Sequence, residues 1–266
     1  MFTRILFFGF GTMASAMLEG WLASGLDPDR FTVHNPRPKP VPEGVSFSTD
    51  LPEGPFDAVL LGVKPQKLAE VAAVVEPLLG PDTVLISILA GVELDSLAAR
   101  FPRAGGIVRL MPNLAVALRK SPNALVARGL DEERRAAVTD LAARLGSAEW
   151  LPDEAQFDLV TALAGSGPGF VYRFIDALAA GAQELGLESA QARRLAVQMV
   201  EGAAALAAAS EHSPGELAAQ VASPGGMTQK GLDVLDDGNA LASLLARCLA
   251  ATRDRGREMA EAARKG

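Results

Sequence analysis

The 266-residue chain predicts an α/β fold in which a doubly wound, parallel sheet fills the N-terminal part and an all-α domain follows. Three observations carry this. Short apolar runs alternate with helically spaced apolar residues from Ile5 to Leu151. The first run, Ile5 to Phe8, opens directly onto Gly9-Phe10-Gly11-Thr12-Met13-Ala14. After Gly165-Ser166-Gly167-Pro168-Gly169 strand signals stop and an alanine-rich helical region begins. The domain boundary is expected between Pro152 and Gly165, giving domains at 1–158 and 159–266.

The glycine run matches the G-x-G-x-x-G/A fingerprint of a Rossmann-type dinucleotide domain. The first glycine makes the turn, the second lets the backbone approach a pyrophosphate, and the third position, Ala14, must be small. Met13, Met17, Leu18, Trp21 and Leu22 then repeat at helical spacing. Phe31 to His34 reads as the second strand, which puts Asn35 where an NAD-binding domain carries an acid for the ribose 2′-OH. No Asp or Glu occurs from Arg30 to Pro42, while Arg37 and Lys39 sit just past the strand. That favours a 2′-phosphate, hence NADPH over NADH, because a carboxylate would repel the phosphate and a guanidinium pairs with it. A solvated, proline-stiffened loop is the alternative.

Further strands are expected at Asp57 to Val63, Thr83 to Leu89, Gly105 to Leu110, Asn123 to Ala127 and Glu149 to Leu151. Helical patterns run from Leu68 to Leu78 and from Glu132 to Leu145. Ligands of such sheets lie beyond the carboxyl ends of the strands, where Gly9, Lys64, Ala90 and Asn113 fall. Lys64, one of six lysines against nineteen arginines, is either a catalytic amine or a solvated side chain whose backbone faces the nicotinamide ribose.

The second domain divides into helices at about 168–185, 190–209, 214–222, 228–236 and 240–263. The run Ala203 to Ala209 is apolar on more than one face, so it is either central or buried against another subunit. A thin helical core favours the second, an obligate dimer. Ser213-Pro214-Gly215-Glu216 has capping-box spacing with proline at the first helical position. The helix it starts leads into Ser223-Pro224-Gly225-Gly226-Met227-Thr228, a tight loop that delivers backbone N–H groups and one hydroxyl to a helix start. Such a loop either holds a small anion or simply joins two helices.

Composition narrows the chemistry. A net charge of −7 argues against nucleic-acid or membrane-surface partners, which need a basic face. One cysteine, Cys248, excludes an intramolecular disulfide and a cysteine-based metal cluster. His34 and His212 have no Cys or carboxylate at metal-ligand spacing, so neither a metal site nor a Ser-His-Asp triad is expected. The apolar start is too short for a signal peptide and no run of about 18 apolar residues occurs, so a cytoplasmic protein is expected. A bound cofactor would then carry the reaction.

Taken together, these motifs resemble the Δ1-pyrroline-5-carboxylate reductase family, nearly end to end. Gly9-x-Gly11-x-Met13-Ala14 looks like its nucleotide turn. Val63-Lys64-Pro65-Gln66, Ala90-Gly91-Val92 and Met111-Pro112-Asn113 look like its cofactor-facing strand ends. Gly165-Ser166-Gly167-Pro168 resembles its domain junction. Val221-Ala222-Ser223-Pro224-Gly225-Gly226-Met227-Thr228, followed by Gly231-Leu232 and Leu235-Asp236, resembles its signature. Ala164 and Phe170 depart from the family's usual Ser and Tyr, and Leu114-Ala115 from its usual Thr-Pro.

The resemblance implies NADPH-dependent reduction of a small cyclic imine to L-proline. NADPH would meet Gly9, Gly11, Thr12, Met13, Asn35, Arg37, Val63, Lys64, Pro65, Ala90 and Asn113. Ser223, Gly226, Met227 and Thr228 would hold the substrate carboxylate, and the Thr228 hydroxyl would lie near the ring nitrogen as the catalytic group. It further implies a homodimer whose C-terminal helices are buried together and whose substrate loop is completed at the dimer interface, with a decamer of dimers as a larger assembly. Two other readings remain. A β-hydroxyacid dehydrogenase usually carries a lysine on the first long helix after the sheet domain, yet no lysine occurs from Gly165 to Gln229. An NADP-binding sensor without turnover has no need of an intact Thr228 loop.

Overall fold

A computed structural model describes residues 1–265, the side chains of Ala263 and Lys265 excepted. Eight strands form one sheet: β1 (Ile5–Phe8), β2 (Phe31–His34), β3 (Ser46–Ser48), β4 (Ala58–Leu61), β5 (Val84–Ser87), β6 (Gly106–Met111), β7 (Ser121–Arg128) and β8 (Gly146–Trp150). Their spatial order is β3-β2-β1-β4-β5-β6-β7-β8. Both faces are covered, so the strands are nearly all apolar and side chains alternate between two cores. Ile5, Phe7, Ala58, Leu60, Val84 and Ile86 enter one core; Leu6, Phe8, Val59, Leu61 and Leu85 enter the other.

Helix α1 (Thr12–Ala23) covers the first face together with α4 (Glu132–Ala143), and buried Trp21 Nε1 donates to the Leu141 carbonyl at 2.8 Å. Helices α2 (Leu68–Val75) and α3 (Leu94–Arg100) cover the second face.

The sheet departs from the expected all-parallel form at one place. β6 and β7 pair antiparallel, Met111 opposite Ala124 and Ile107 opposite Arg128. The intervening residues 112–120 are too few for a parallel crossover, which needs a dozen or more. β3 is an addition, a three-residue edge strand paired in parallel with β2.

The chain divides into two compact units, residues 1–166 with 250–266, and residues 167–249. This differs from the division at 158/159. Phe157, in the short helix α5 (Phe157–Val160), is 1% exposed in the second core of the sheet and lies under the Arg109 guanidinium, 3.9 Å from ring centre to Cζ. A π-helical turn, Thr161–Gly165, follows and packs on Met111.

The second unit contains α6 (Gly167–Glu184), α7 (Ser189–Ala209), α8 (Pro214–Val221), α9 (Met227–Asp236) and the start of α10 (Ala240–Lys265). These bounds fall within two residues of the expected ones. The capping box is formed: Ser213 Oγ accepts from Glu216 N, and Glu216 Oε2 accepts from Ser213 N at 2.7 Å. Within a single chain Ala203 to Ala209 is not central. Leu206 is 61% exposed, and among the described residues of this unit only Ala192 and Ala196 are buried. Val171, Phe174, Leu178, Leu195 and Leu244 are likewise exposed.

Candidate active site

The strand order reverses between β1 and β4, and in an open α/β sheet that switch point is where a ligand binds. Gly9 follows β1 there with φ +88°, a conformation that L side chains rarely adopt. A Cβ on Gly9 would lie 2.6 Å from Val63 Cγ1, and one on Gly62 would lie 2.5 Å from the Gly9 carbonyl oxygen and 3.1 Å from Ala14 Cβ. The turn is therefore locked between bare backbones. Gly62 has no signature in the sequence, since a lone glycine at a strand end is marked only by its neighbour in the sheet.

Gly11 caps α1 without any side-chain acceptor, and the first turn of the helix holds no acid. Its N–H groups and dipole are thus available to an anion, with Thr12 exposed and Met13 half-buried beside them. A cavity of about 410 Å³ opens here, lined by Gly11, Thr12, Ser15, Glu19, Lys39 and Pro40 among others. Asn35 accepts from Phe10 N at 3.3 Å and donates to the Arg37 carbonyl at 2.6 Å, so it ties the glycine turn to the end of β2. Lys39 Nζ donates to the Phe10 carbonyl, and Arg37 is exposed. Two cations, Arg37 and Lys39, follow β2 in a stretch with no acid from Arg30 to Pro42. These residues fit a dinucleotide carrying a 2′-phosphate.

The other expected contacts lie along the carboxyl edge of the sheet. Val63 is half-buried, Lys64 is exposed at the start of a short 3₁₀ turn with Pro65, and Ala90 is exposed in the loop after β5. Asn113 is different. Its side chain is buried, donating to the Ala164 carbonyl at 2.9 Å and accepting from Ala115 N at 2.8 Å. A proline at 115 would have no N–H to give, so the departure at this position adds a bond that orients Asn113. His34 is buried, its Nδ1 3.0 Å from the Asp50 carbonyl oxygen and its ring against Phe8, which is a structural role. Among the described residues no group of three or more His, Cys, Asp or Glu could hold a metal ion.

In the second unit, Ser223 to Thr228 is a tight turn that starts α9. Gly225 has φ +72° and Gly226 N donates to the Ser223 carbonyl at 2.9 Å. The Ser223 hydroxyl fills the space where a Gly226 Cβ would stand. Gly226 caps the helix without a side-chain acceptor, and no acid lies in the first turn. The first N–H groups of α9, from Met227 and Thr228 on, meet no side-chain cap, and the Thr228 side chain is exposed with them. The arrangement suits a carboxylate with a polar group beside it.

Comparisons with known proteins point to one family. A family model described as pyrroline-5-carboxylate reductase dimerisation matches residues 154–259. The chain is 34% identical to pyrroline-5-carboxylate reductase of Pseudomonas aeruginosa over 97% of each chain. It is 33% identical to pyrroline-5-carboxylate reductase 2 of Bacillus subtilis over 97% of this chain and 95% of the other. A solved pyrroline-5-carboxylate reductase from Coxiella burnetii superposes with a TM-score of 0.87 at 31% identity, covering 97% of this chain and 98% of that one. The NADP-bound pyrroline carboxylate reductase of Plasmodium falciparum shares the fold at 22% identity, with a TM-score of 0.82 over the same shares.

Gly62→Ala tests the locked turn. The fold should persist by circular dichroism, while fluorescence titration shows NADPH binding weakened about tenfold, in line with the ~1–3 kcal/mol of overpacking a close contact. An unchanged Kd would mean that the Gly9 turn does not set the nucleotide site.

Proposed function

The chain belongs to the pyrroline-5-carboxylate reductase family, and on that footing we propose how its own residues reduce Δ1-pyrroline-5-carboxylate to L-proline with NADPH. The observation that carries the reading is the N-terminus of α9, bare of side-chain caps and of acid, behind the Ser223-Pro224-Gly225-Gly226 turn. Ser223, Gly226, Met227 and Thr228 hold the substrate carboxylate there, chiefly through backbone N–H groups. The Thr228 hydroxyl hydrogen-bonds the ring nitrogen and relays a proton from water. Its ordinary pKa is too high for it to act as a discrete acid.

The glycine turn at Gly9 and Gly11 and the start of α1 at Thr12 and Met13 receive the pyrophosphate. Asn35 orients that turn and Arg37 pairs with the 2′-phosphate, which favours NADPH over NADH. Val63, Lys64, Pro65 and Ala90 present backbone and aliphatic surface to the nicotinamide ribose, and Asn113 fixes the end of β6. When bound, NADPH supplies the hydride. A protonated cyclic imine is already electrophilic, so the protein has to bind, orient and deliver one proton; no strong acid or metal is needed.

The working form is a homo-oligomer. We take it to be a homodimer in the cytoplasm, with rings of dimers as the larger assembly. The matched dimerisation region and the exposed apolar residues on α6, α7 and α10 support the association, and the single cysteine suits a reducing compartment.

Purified protein should consume NADPH with pyrroline-5-carboxylate and release proline, and should not reduce NADP with a 3-hydroxy acid. Turnover of only the latter, or of neither, would reject the assignment. Within that assay, Thr228→Ala should lower kcat/KM about 10- to 100-fold, the ~1.4 to 2.7 kcal/mol of one polar contact to a charged group. Full activity would remove the nitrogen-binding role. Arg37→Glu should raise KM for NADPH about 10- to 100-fold and leave KM for NADH nearly unchanged, since only NADPH carries the repelled phosphate. Equal effects on both would show that Arg37 does not read the 2′-phosphate.

A further inference from the structure

The last turns of α10 return to the first unit and close the back of the loop after β5. Gly91 in that loop has φ +71°, and a Cβ there would lie 2.9 Å from Met259 Cβ and 3.3 Å from the Ala260 nitrogen. The obstacle is helix backbone and a Cβ, not the tip of a flexible side chain. Ala260 is 3% exposed, as expected of a residue wedged at such a contact. The helix is seated at a second close approach as well. The space that a Cβ on Gly256 would take is already met by Asp158, whose Cγ would be 3.2 Å away.

Further along the helix, Arg264 reaches Glu93 across 171 residues of sequence, with Nε to Oε2 at 2.6 Å and Nη2 to Oε1 at 2.5 Å. The hydrogen bonds from Arg264 hold the Glu93 carboxyl below its ordinary pKa, against the opposing effect of burial. Glu93 is the cap residue of α3, yet its side chain makes no capping bond. The task of satisfying Leu94 N falls to Glu154, whose Oε1 accepts it at 2.8 Å and also accepts from buried Arg109 Nη1 at 2.6 Å. Glu93 is thereby released to face α10. The loop from Ala90 to Glu93 is thus held at both ends, by Met259 and Ala260 against Gly91 and by Arg264 on Glu93.

We propose that the C-terminal part of α10 is a positioning clamp for the cofactor, fixing the Ala90–Glu93 loop in the shape that receives the nicotinamide half of NADPH. Arg264 acts through the loop and touches no reactant. The inference rests on the assignment of Ala90 to the cofactor site. An exposed ion pair adds little to global stability, so the clamp shows in NADPH affinity rather than in unfolding.

The test uses the full chain with Arg264→Ala, Arg264→Lys and, separately, Ala90→Glu. Arg264→Ala should raise the NADPH Kd, read by fluorescence titration, and the KM for NADPH about three- to fivefold. Its kcat at saturating NADPH and its midpoint of thermal unfolding should match the wild type. Arg264→Lys, keeping the charge but losing the two-bond grip, should fall between the two. An unchanged Kd in Arg264→Ala, or a loss that tracks a lowered unfolding midpoint, overturns the clamp. Ala90→Glu separates the two layers. If it leaves the Kd unchanged, the assignment of Ala90 fails and takes the clamp with it. If it weakens binding while Arg264→Ala does not, the assignment stands and the clamp alone is rejected.

Discussion

At the carboxyl ends of β1 and β4 two stretches of backbone approach so closely that neither Gly9 nor Gly62 could carry a side chain. Much else depends on that contact. The chain leaves β1 with a positive φ, and α1 is aimed so that Ala14 lies against Gly62, just past β4, while the helix start stays open. The turn also lies within reach of Asn35 and Lys39 from the end of β2. A methyl group at either glycine would shift all of these together.

The two proposed anion sites are made from the same material. α1 and α9 each begin at a glycine, lack a side-chain cap and have no acid in the first turn. Three other helices satisfy their first amides with their own oxygen, α4 at Asp131, α7 at Glu188 and α8 at Ser213, while α2 and α3, which also lack a side-chain cap, carry an acid in the first turn. Leaving orphan amides costs local stability unless an anion or water meets them. Bare amides with no acid in the first turn are what the proposed assignment uses, a pyrophosphate at α1 and a carboxylate at α9. The reaction assigned to them needs orientation and a hydride donor rather than a strongly perturbed acid or base.

The parts of this fold set by local pattern were legible in the sequence. β1 and β2 fall where their apolar runs are, the five helices of the second unit start and end at their Pro, Gly and capping signals, and the fingerprint and the Ser223 to Thr228 loop are written in consecutive residues. What escaped depends on contacts distant in sequence. β3 is three residues on the edge with no alternation strong enough to mark it. The antiparallel entry of β7 follows from a link length, and only once the strands on either side are known. Gly62 matters through Gly9, and residues 250–265 join the first unit through contacts such as Met259 with Gly91. The departure to Ala115 could be seen in the sequence, but its effect on Asn113 could not.

The central claim is that backbone amides at the start of α9 hold the carboxylate of a five-membered ring. Its most direct test is a crystal structure of the protein with NADP and L-proline bound. The account predicts the proline carboxylate within hydrogen-bond distance of the Met227 and Thr228 N–H groups, with the ring nitrogen beside the Thr228 hydroxyl. A proline bound elsewhere, with the start of α9 facing only solvent, would contradict it.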